Sequence, residues 1–527
     1  MKSFIYYLTF QILSHFIFSQ QNTILIIADD VSPDYFGAFS NTTDTANVPN
    51  ITGLAQRSVR FSKVWASPVC SPTRAGIFSG RYSFRTGVGQ VITAGTSPQL
   101  DTAEMSIAKL LKWHAPKKYN TACVGKWHLH NNQLNKRPFP NNMGYDLYSG
   151  NFNGALSNYY NWIRVKNGIQ DTLTTYATTQ TIDDAIAWLD TVNTVKPFFL
   201  WIAFNAPHTP YHIPPANLCN TVGLTGTPQH ITANPKLYFK AALEAMDTEI
   251  GRLFQYLTAN NKMDSTNIIF MGDNGNDGKV AQITNTLNVK GTIYDYGVRV
   301  PFMVAGPAVV NPNRTSNELV NTPDLFASIA ELCGFMNWIN AIPTNTIVDS
   351  RSFLPIIKNQ GSNNRTWIFS EKFTAPTVPT DGKTIRNQDY HLLRFNNGTE
   401  ELYNQTLDTQ ENNNLLLGTM TATDIYNYHF LCDSLNALIG SGTCQPISVP
   451  ERTQPLGFHI YPNPFTHKIF IENQMYAIRI QLKNILGELI WEGENIEQEN
   501  FSFLSEGVYF LLIETLKGKQ NLKMIKN

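Results

Sequence analysis

The 527-residue sequence has no excess of either charge, because 40 Lys and Arg residues balance 40 Asp and Glu residues. A chain without a basic excess lacks the electrostatic footprint of a nucleic-acid-binding protein, so we expect no nucleic-acid partner. Any anionic ligand must then be held by local charges. Charged residues make up 15% of the chain and apolar residues 42%, a balance typical of globular proteins. We expect two or three domains at this length.

Long apolar runs are also missing after the first residues, so the sequence predicts no transmembrane anchor, which needs about 20 apolar residues. The N-terminal segment is different: Lys2 precedes a mostly apolar stretch from Ile5 to Phe18, and small Ser19 follows. This pattern is typical of an export signal. We interpret residues 1–20 as a signal peptide rather than as a buried first strand or helix.

Cysteine is scarce, and six residues in a chain of this length do not make a disulfide scaffold. Cys432 and Cys444 are close enough in sequence to close a small loop, but their spacing does not prove that they pair. Cys70 lies in a sequence context that indicates chemistry instead.

Four short apolar runs each end in a polar cluster, and uninterrupted runs of this kind are typical of strands buried on both faces of a parallel sheet. Helical patterns at 181–189 and 237–257 alternate with them, which predicts an α/β fold with an open, mostly parallel sheet flanked by helices. Such sheets bind ligands beyond the carboxyl ends of their strands, so we expect one pocket there. The runs and their clusters are 23–28 before Asp29-Asp30, 121–124 before Gly125–His128, 197–204 before Asn205–His208, and 267–271 before Gly272–Gly275.

The pattern changes after residue 350. Strand-like segments at 383–395 and 400–403 predict a smaller antiparallel unit, and the Pro-containing stretch 445–457 reads as a linker. Beyond the linker, four alternating segments predict a small β-sandwich. They lie at 459–461, 468–472, 478–482 and 508–513.

The strongest local signal is Cys70-Ser71-Pro72-Thr73-Arg74. Pro72 suits the first turn of a helix, which would place Cys70 near a helix N-terminus, where free N–H groups attract anions. Arg74 adds a permanent charge whose forked donors match tetrahedral oxyanions. On these five residues alone, a helix cap with a buried cysteine explains the sequence about equally well.

The wider sequence resembles the sulfatase family of the alkaline-phosphatase-like superfamily, in which C-x-P-x-R marks a cysteine converted to formylglycine. Residues 67–80 follow the family signature, with Ser79 where threonine is usual. A second signature covers 119–128, with Lys118 in place of the usual opening glycine. The resemblance implies an alkaline-phosphatase-like fold, Cys70 converted to 3-oxoalanine (formylglycine) by a formylglycine-generating maturation enzyme, and sulfuric-ester hydrolysis.

The same resemblance assigns roles to the other site residues. It implies that Arg74, Lys126 and Lys290 contact the sulfate, that His208 binds sulfate and protonates the leaving oxygen, and that His128 serves the aldehyde hydrate. It also implies one Ca²⁺, with residue 70 among its ligands. Three carboxylates at the ends of two central strands would repel each other without a cation, and Ca²⁺ prefers such oxygens. The predicted catalytic residues are Cys70, Arg74, Lys126, His128, His208 and Lys290, and the predicted metal ligands are Asp29, Asp30, Cys70, Asp273 and Asn274.

Several other polar and aromatic residues lie near these motifs. We interpret Arg299 as a structural ion-pair residue or loop anchor rather than a catalytic group, and His130 and His212 as rim or substrate-side residues without an assigned role. One further polar contact could come from Ser149, Asn151 or Asn153, and the sequence does not choose among them. Three aromatic residues could stack on a sugar, but packing is the favoured explanation. They are Tyr159, Tyr160 and Trp162.

Residues 456–527 resemble the C-terminal sorting domain of type IX secretion cargo, on the evidence of YPNPF at 461–465 and GVYF at 507–510. A carbohydrate-binding or spacer module is the alternative. We therefore expect a secreted or cell-surface protein that acts on a sulfated carbohydrate and engages the type IX machinery. The rival functions are a phosphodiesterase or phosphonate monoester hydrolase, and a catalytically dead glycan-binding protein. The predicted divisions are a signal peptide (1–20), a catalytic core (21–350), a smaller α+β subdomain (351–445), a linker (446–455) and the sorting domain (456–527).

Overall fold

A computed structural model describes residues 21–527, apart from 41, 43, 94–97, 193–194, 446–457, 473–478 and 516–517. The predicted signal peptide and most of the predicted linker lie outside the described residues. The chain divides into two compact units, Met1–Thr419 with Thr423–Gln445, and Met420–Ala422 with Pro446–Asn527. None of the helices in the described ranges has the length and hydrophobicity needed to cross a bilayer.

A ten-stranded mixed sheet forms the centre of the first unit, in the order β10-β2-β9-β8-β1-β7-β3-β4-β5-β6. Its middle, from β8 to β4, is parallel throughout. This confirms the predicted α/β fold. The ten strands are β1 (Asn22–Ala28), β2 (Ser58–Trp65), β3 (Asn120–Gly125), β4 (Leu147–Gly150), β5 (Trp162–Lys166), β6 (Ile169–Leu173), β7 (Phe198–Ala203), β8 (Thr266–Gly272), β9 (Phe302–Ala305) and β10 (Arg314–Asn321).

Helices cover both faces of this sheet. Alternate residues of β1 enter two different hydrophobic cores, Leu25 and Ile27 on one face and Ile24 and Ile26 on the other. Uninterrupted apolar strands are therefore required, because neither face is open to water. The helices are α1 (Pro49–Ala55), α2 (Cys70–Ser79), α3 (Ser83–Thr86), α4 (Ile107–Lys109), α5 (Phe139–Asn142), α6 (Ala177–Thr191), α7 (Pro228–Ala233), α8 (Pro235–Ala259), α9 (Asp295–Val298), α10 (Asp324–Leu332), α11 (Leu354–Ile357) and α12 (Ala422–Ile439).

The two predicted helices are confirmed within α6 and α8, each a few residues longer than expected. Pro235 starts α8, where its fixed φ and missing N–H cost nothing. The sequence did not reveal the outer strands of the large sheet. In β2 the polar Arg60, Ser62 and Lys63 interrupt the apolar run, and β6 is largely exposed, so neither has a continuous hydrophobic signal.

The smaller antiparallel unit is present as a four-stranded sheet in the order β11-β12-β13-β14. A disulfide joins Cys432 to Cys444, a pairing that the sequence left open.

The C-terminal β module holds a two-stranded and a four-stranded sheet around one core that includes Phe465, Ile480 and Leu511. The strands are β11 (Ile368–Lys372), β12 (Gly382–Arg386), β13 (Tyr390–Phe395), β14 (Glu400–Asn404), β15 (Ile460–Tyr461), β16 (Phe470–Ile471), β17 (Arg479–Asn484), β18 (Leu489–Gly493), β19 (Gly507–Thr515) and β20 (Gly518–Lys526).

Candidate active site

The four polar clusters meet at the carboxyl ends of β8, β1, β7 and β3. Backbone hydrogen bonds continue across the strand ends: Asp29 N donates to Ala206 O at 3.1 Å, and Asp273 N donates to Ala28 O at 3.1 Å. Lys126 N donates to Ala203 O at 2.8 Å. Adjacent parallel strands end at the same edge, so clusters far apart in sequence become neighbours.

Cys70 is the first residue of α2, after Val69 in an extended conformation. The two hydroxyl residues of the motif fix this helix start: Ser71 Oγ donates to His128 O at 2.9 Å, and Thr73 Oγ1 accepts from Ser67 N at 2.9 Å. Cys70 is buried among these groups. The helix start therefore presents residue 70, rather than a hydroxyl, to the pocket.

His128 faces Cys70, with Nδ1 3.1 Å from Sγ. Its other nitrogen, Nε2, lies 3.1 Å from Ile92 O. A carbonyl oxygen only accepts, so Nε2 carries the proton and Nδ1 offers a lone pair to residue 70. Burial lowers the pKa of His128 well below its usual value, and the charges of Lys126 and Arg74 lower it further. The imidazole is therefore neutral and can take a proton from a group on residue 70.

Arg74 lies in the first turns of α2 and is fully buried. Its Nη2 donates to Asp273 Oδ2 at 2.7 Å, its Nε donates to the same oxygen at 3.2 Å, and its Nη1 donates to Lys126 O at 3.0 Å. Burial opposes the charge, but Asp273 outweighs it and raises the pKa of Arg74. This ion pair fixes the guanidinium beside residue 70.

Two lysines form further ion pairs with the carboxylates that follow β1. Lys126 Nζ lies 2.6 Å from Asp29 Oδ2, and Lys290 Nζ lies 2.6 Å from Asp30 Oδ2. His208 Nε2 lies 3.5 Å from the same oxygen of Asp30. Burial alone would raise the pKa of Asp30, but Lys290, His208 and Lys126 outweigh it and hold that pKa below its usual range.

Buried oxygens without partners indicate where a cation fits. Asn274 Nδ2 donates to Asp30 Oδ1 at 2.8 Å, while Asn274 Oδ1 accepts no hydrogen bond from any described residue. Asp29 Oδ1 is a second buried oxygen without a donor in the described part of the chain. Ligand atoms of Asp29, Cys70 and Asp273 lie within 4.8 Å of one another, as do those of Asp29, Asp30 and His208. This carboxylate and amide oxygen set suits a hard divalent cation.

The electrostatics of Asp29 point the same way. Burial, and then the neighbouring Asp273 carboxylate, raises the pKa of Asp29 to about 8 despite its contact with Lys126. A cation at this position would remove that repulsion. The residues predicted as metal ligands, residue 70 included, thus form a candidate metal site.

The structure distinguishes among the polar residues that the sequence left open. Ser149 Oγ donates to Asp184 Oδ2 at 2.6 Å, so this hydroxyl is bound to helix α6. Asn151 Oδ1 accepts from Asn205 Nδ2 at 2.7 Å, on the loop that carries His208. Asn151 is therefore the residue of this segment that joins the His208 loop.

Tyr159 has a role that sequence reasoning missed. Its hydroxyl oxygen lies 2.7 Å from both Asn205 O and His208 O, so its single proton is shared between the two carbonyls. The packing explanation is confirmed for the rings of Tyr159 and Trp162, which are buried, while Tyr160 is exposed. A tyrosine in an unremarkable segment carries no signal for such a contact, because its acceptors are backbone carbonyls more than 40 positions away.

His130 and His212 are both held by hydrogen bonds to neighbouring groups. Trp127 Nε1 donates to His130 Nδ1 at 3.0 Å, and His130 Nε2 donates to Leu100 O at 2.8 Å. In His212, Nδ1 donates to Pro210 O at 2.8 Å, and Nε2 accepts from the Tyr176 hydroxyl at 3.0 Å. Both nitrogens of each ring are used internally, so neither ring has a nitrogen left for chemistry. Arg299 has the predicted structural role, as an ion pair with Asp295 at 2.7 Å.

Comparison with protein families gives three matches. Residues 21–335 match the Sulfatase family, residues 287–430 match the C-terminal region of N-sulphoglucosamine sulphohydrolase, and residues 459–527 match the secretion system C-terminal sorting domain. The last match implies secretion or a place at the cell surface.

Individual relatives agree with the family match. The chain is 28% identical over 412 residues to the uncharacterized sulfatase YdeN of Escherichia coli strain K12, covering 71% of this chain and 70% of the relative. It is 24% identical over 432 residues to an ulvan-active sulfatase of Formosa agariphila, covering 76% and 77%. The structure of Ps i-CgsB in complex with k-i-k-neocarrahexaose superposes with a TM-score of 0.68 at 25% identity, covering 82% of this chain and 96% of that one.

The Sulfatase match covers more than half of the 527 residues. It includes the helix start at Cys70 and the carboxyl ends of the central strands. The protein is therefore a member of the sulfatase family of hydrolases, and it carries a secretion-system sorting domain at its C-terminal end.

Proposed function

We propose that the protein hydrolyses sulfate esters of carbohydrates, using formylglycine at position 70 and one bound Ca²⁺. The observation that carries this proposal is the pair formed by residue 70 and His128, 3.1 Å apart at a helix start and surrounded by fixed positive charges. The ulvan-active relative and the neocarrahexaose complex support a carbohydrate as the carrier of the ester.

Residue 70 is the proposed nucleophile. A formylglycine there would supply, when hydrated, two hydroxyls on one carbon. One would attack sulfur while the bond from sulfur to the leaving alcohol oxygen breaks. Loss of the proton of the other would then re-form the aldehyde, break the carbon–oxygen bond to the sulfate and release it. The neutral Nδ1 of His128 is the base that takes that second proton, because it is held toward residue 70 by the Nε2 contact to Ile92 O. An unmodified thiol offers only one such group.

The basic side chains are the proposed sulfate-binding groups. Arg74 is pre-oriented by Asp273 and the carbonyl of Lys126, so it would bind an anion without losing further side-chain entropy. Lys126 and Lys290 would turn from Asp29 and Asp30 to the sulfuryl oxygens, where they neutralise charge that shifts in the transition state.

His208 is the proposed general acid. Its Nδ1 donates to Thr209 O at 2.8 Å, which leaves Nε2 facing the cluster. Nε2 lies 3.5 Å from Asp30 Oδ2, and a proton on Nε2 would be donated to the leaving alkoxide.

The residues proposed to hold Ca²⁺ are Asp29, Asp30, Asp273, Asn274 and residue 70. The ion would supply positive charge beside the nucleophile. The two buried oxygens without donors, on Asp29 and Asn274, support this assignment because each needs a positive partner.

The proposed enzyme also requires maturation and export. Maturation requires a formylglycine-generating enzyme, export requires the signal peptide at 1–20, and the sorting domain would engage the type IX secretion machinery. The divisions at 350 and 445 remain predicted boundaries between the catalytic core, the smaller subdomain and the linker.

The proposed function is tested by identifying the modification at residue 70 and by measuring the hydrolysis of three kinds of ester. Mass spectrometry of the Cys70 peptide from the native host should show the aldehyde, and the purified protein should release sulfate from an aryl sulfate faster than phosphate from an aryl phosphate or a phosphodiester. Cys70→Ala should be folded and inactive. An aldehyde-bearing protein that prefers the phosphodiester would support the rival hydrolase, and one that turns over none of the three esters yet binds glycans would support the non-catalytic function.

A further inference from the structure

Two buried polar residues, Ser32 and Asn276, join the two chain segments that carry most of the proposed cation ligands. Ser32 lies beyond β1, two positions after Asp30, and Asn276 lies beyond β8, two positions after Asn274. Both residues are fully buried, and neither is among the proposed ligands. Their role therefore depends on the bonds that they make within the protein.

The two residues bind each other reciprocally. Ser32 N donates to Asn276 Oδ1 at 2.7 Å, and Asn276 N donates to Ser32 Oγ at 3.0 Å. Each side chain thus satisfies the backbone N–H of the other residue. A buried N–H without an acceptor is costly, so removal of either side chain would weaken the connection between the two segments.

This Ser32–Asn276 pair lies at the far end of the ligand-bearing segments. Strands β1 and β8 pair in parallel as far as Ala28 and Gly272. Four of the five proposed ligands are the next two residues of each segment, at 29–30 and 273–274, and the pair lies two positions further on. The ligands are therefore fixed by the sheet on one side and by the pair on the other.

The backbone of Asp30 needs such support. Its φ is +65°, in the left-handed region that residues other than glycine rarely adopt. A conformation of this kind persists only where the surrounding structure imposes it. Asp30 N donates to Asp273 Oδ1 at 3.0 Å, and the bond from Ser32 N to Asn276 Oδ1 holds the chain two residues later. Without that second bond, Asp30 could relax to an ordinary φ, and its carboxylate would leave the other ligands.

Asn276 is itself held firmly in place. A Cβ at the preceding Gly275 would lie 1.9 Å from Tyr296 O, so this segment packs directly on the Tyr296 backbone. Asn276 Nδ2 donates to the Tyr296 hydroxyl at 3.2 Å, and Asn276 O accepts from Lys290 N at 3.0 Å. Because Asn276 is fixed by these contacts, it can impose a conformation on the segment that contains Asp30.

We propose that Ser32 and Asn276 are positioning residues for the cation, and that their reciprocal hydrogen bonds keep the aspartate and asparagine ligands together before the ion arrives. This inference rests on the proposed function and deepens its metal site. Ligands that are already in place lose less conformational freedom on binding, so the pair should strengthen Ca²⁺ binding without contacting the ion.

Isothermal titration of Ca²⁺ into the chelator-treated full-length protein tests this proposal without turnover. Residues that support metal ligands contribute roughly 10–100-fold to metal affinity. Ser32→Ala should therefore raise the Kd for Ca²⁺ about tenfold, and Asn276→Ala about tenfold to hundredfold. Since the two residues act as one unit, the double variant should have a Kd within about threefold of that of Asn276→Ala, rather than the product of both effects. All variants are compared at equal aldehyde content of residue 70.

Two buried residues of the same types provide matched controls. Ser328 Oγ accepts from Phe353 N at 2.9 Å, and Asn321 Oδ1 accepts from Phe369 N at 2.8 Å, so each supports a backbone N–H away from the proposed ligands. Ser328→Ala and Asn321→Ala should lower the urea midpoint of unfolding, as the two test variants do. They should leave the Kd for Ca²⁺ unchanged.

The outcomes separate positioning from a purely structural role. An unchanged Kd for Ca²⁺ in folded Ser32→Ala and Asn276→Ala would overturn the proposal, even if their urea midpoints fell. An equal loss of Ca²⁺ affinity in the two control variants would overturn it as well. If the wild-type protein binds no Ca²⁺, the proposed metal site fails instead.

Discussion

Calcium loading should strengthen the binding of a tetrahedral anion. Without a cation, the basic side chains of the site are held in ion pairs with its own carboxylates and are less free to bind the anion. The three carboxylates of Asp29, Asp30 and Asp273 face three basic side chains, and two of these are lysines held 2.6 Å from their carboxylates. A divalent cation that engages the carboxylates would release Lys126 and Lys290 toward an incoming sulfate.

The size of the effect follows from those contacts. A hydrogen bond between charged groups contributes about 1.5–3 kcal/mol net. Release of a single lysine, at about 1.4 kcal/mol per tenfold change, should therefore lower the Kd for sulfate about ten- to hundredfold. By linkage, saturating sulfate should raise the affinity for Ca²⁺ by the same factor.

Isothermal titration measures both sides of this coupling. Sulfate is titrated into Ca²⁺-loaded and chelator-treated protein, and Ca²⁺ is titrated with and without sulfate. Lys290→Ala should reduce the coupling. Lys240→Ala is the matched control, because Lys240 forms its ion pair with Asp44 on the surface at 2.5 Å. An unchanged Kd for sulfate in the presence and absence of Ca²⁺ would refute the reasoning.

Three further predictions concern the supports of the site and the stability of the fold. Tyr159→Phe removes the hydroxyl that holds the His208 loop and should lower kcat on an aryl sulfate about tenfold with little change in KM, whereas steady-state kinetics of the exposed Tyr160→Phe should match the wild type. Arg365→Met leaves its buried carboxylate partner unpaired and should lower the free energy of unfolding by about 3–5 kcal/mol in urea titrations; an unchanged urea midpoint would contradict this. Burial raises the pKa of Glu371 from 4.5 to about 6. The protonated side chain therefore stabilises the folded protein fully below the unfolded pKa of 4.5, and this stabilisation is lost as pH rises through about 6. Relative to Glu371→Gln, the wild-type protein should therefore lose about 2 kcal/mol between about pH 4 and pH 7, and equal pH profiles in urea would argue against this pKa.

Much of this site can be predicted from short stretches of sequence. The apolar runs identified the central strands because a strand buried on both faces must be apolar at every position. The residues after each run then had to lie at one edge of the sheet. The helix start at Cys70 follows from local features as well, since Pro72 and the Thr73 hydroxyl act within a few positions of it.

The outer strands and the partners of individual side chains could not be predicted in this way. Strand β2 mixes polar and apolar residues, so its composition does not mark it as a strand. Its place in the sheet depends on pairing with β9 and β10, which lie far from it in sequence. His128 and His130 differ by two positions, yet one faces Cys70 and the other packs on Trp127. Nothing in the local sequence separates these two roles, since each depends on what lies opposite the ring.

The sequence by itself determined the α/β fold class, the sulfatase family and the residue types available for an anion and a cation. Only the tertiary structure decided that Lys126 pairs with Asp29 and Lys290 with Asp30, and that buried oxygens on Asp29 and Asn274 lack donors among the described residues. The physical reason is distance along the chain. Asp30 N and Asp273 Oδ1 are 243 positions apart in sequence and 3.0 Å apart in space, and only the packing of the whole sheet brings them together.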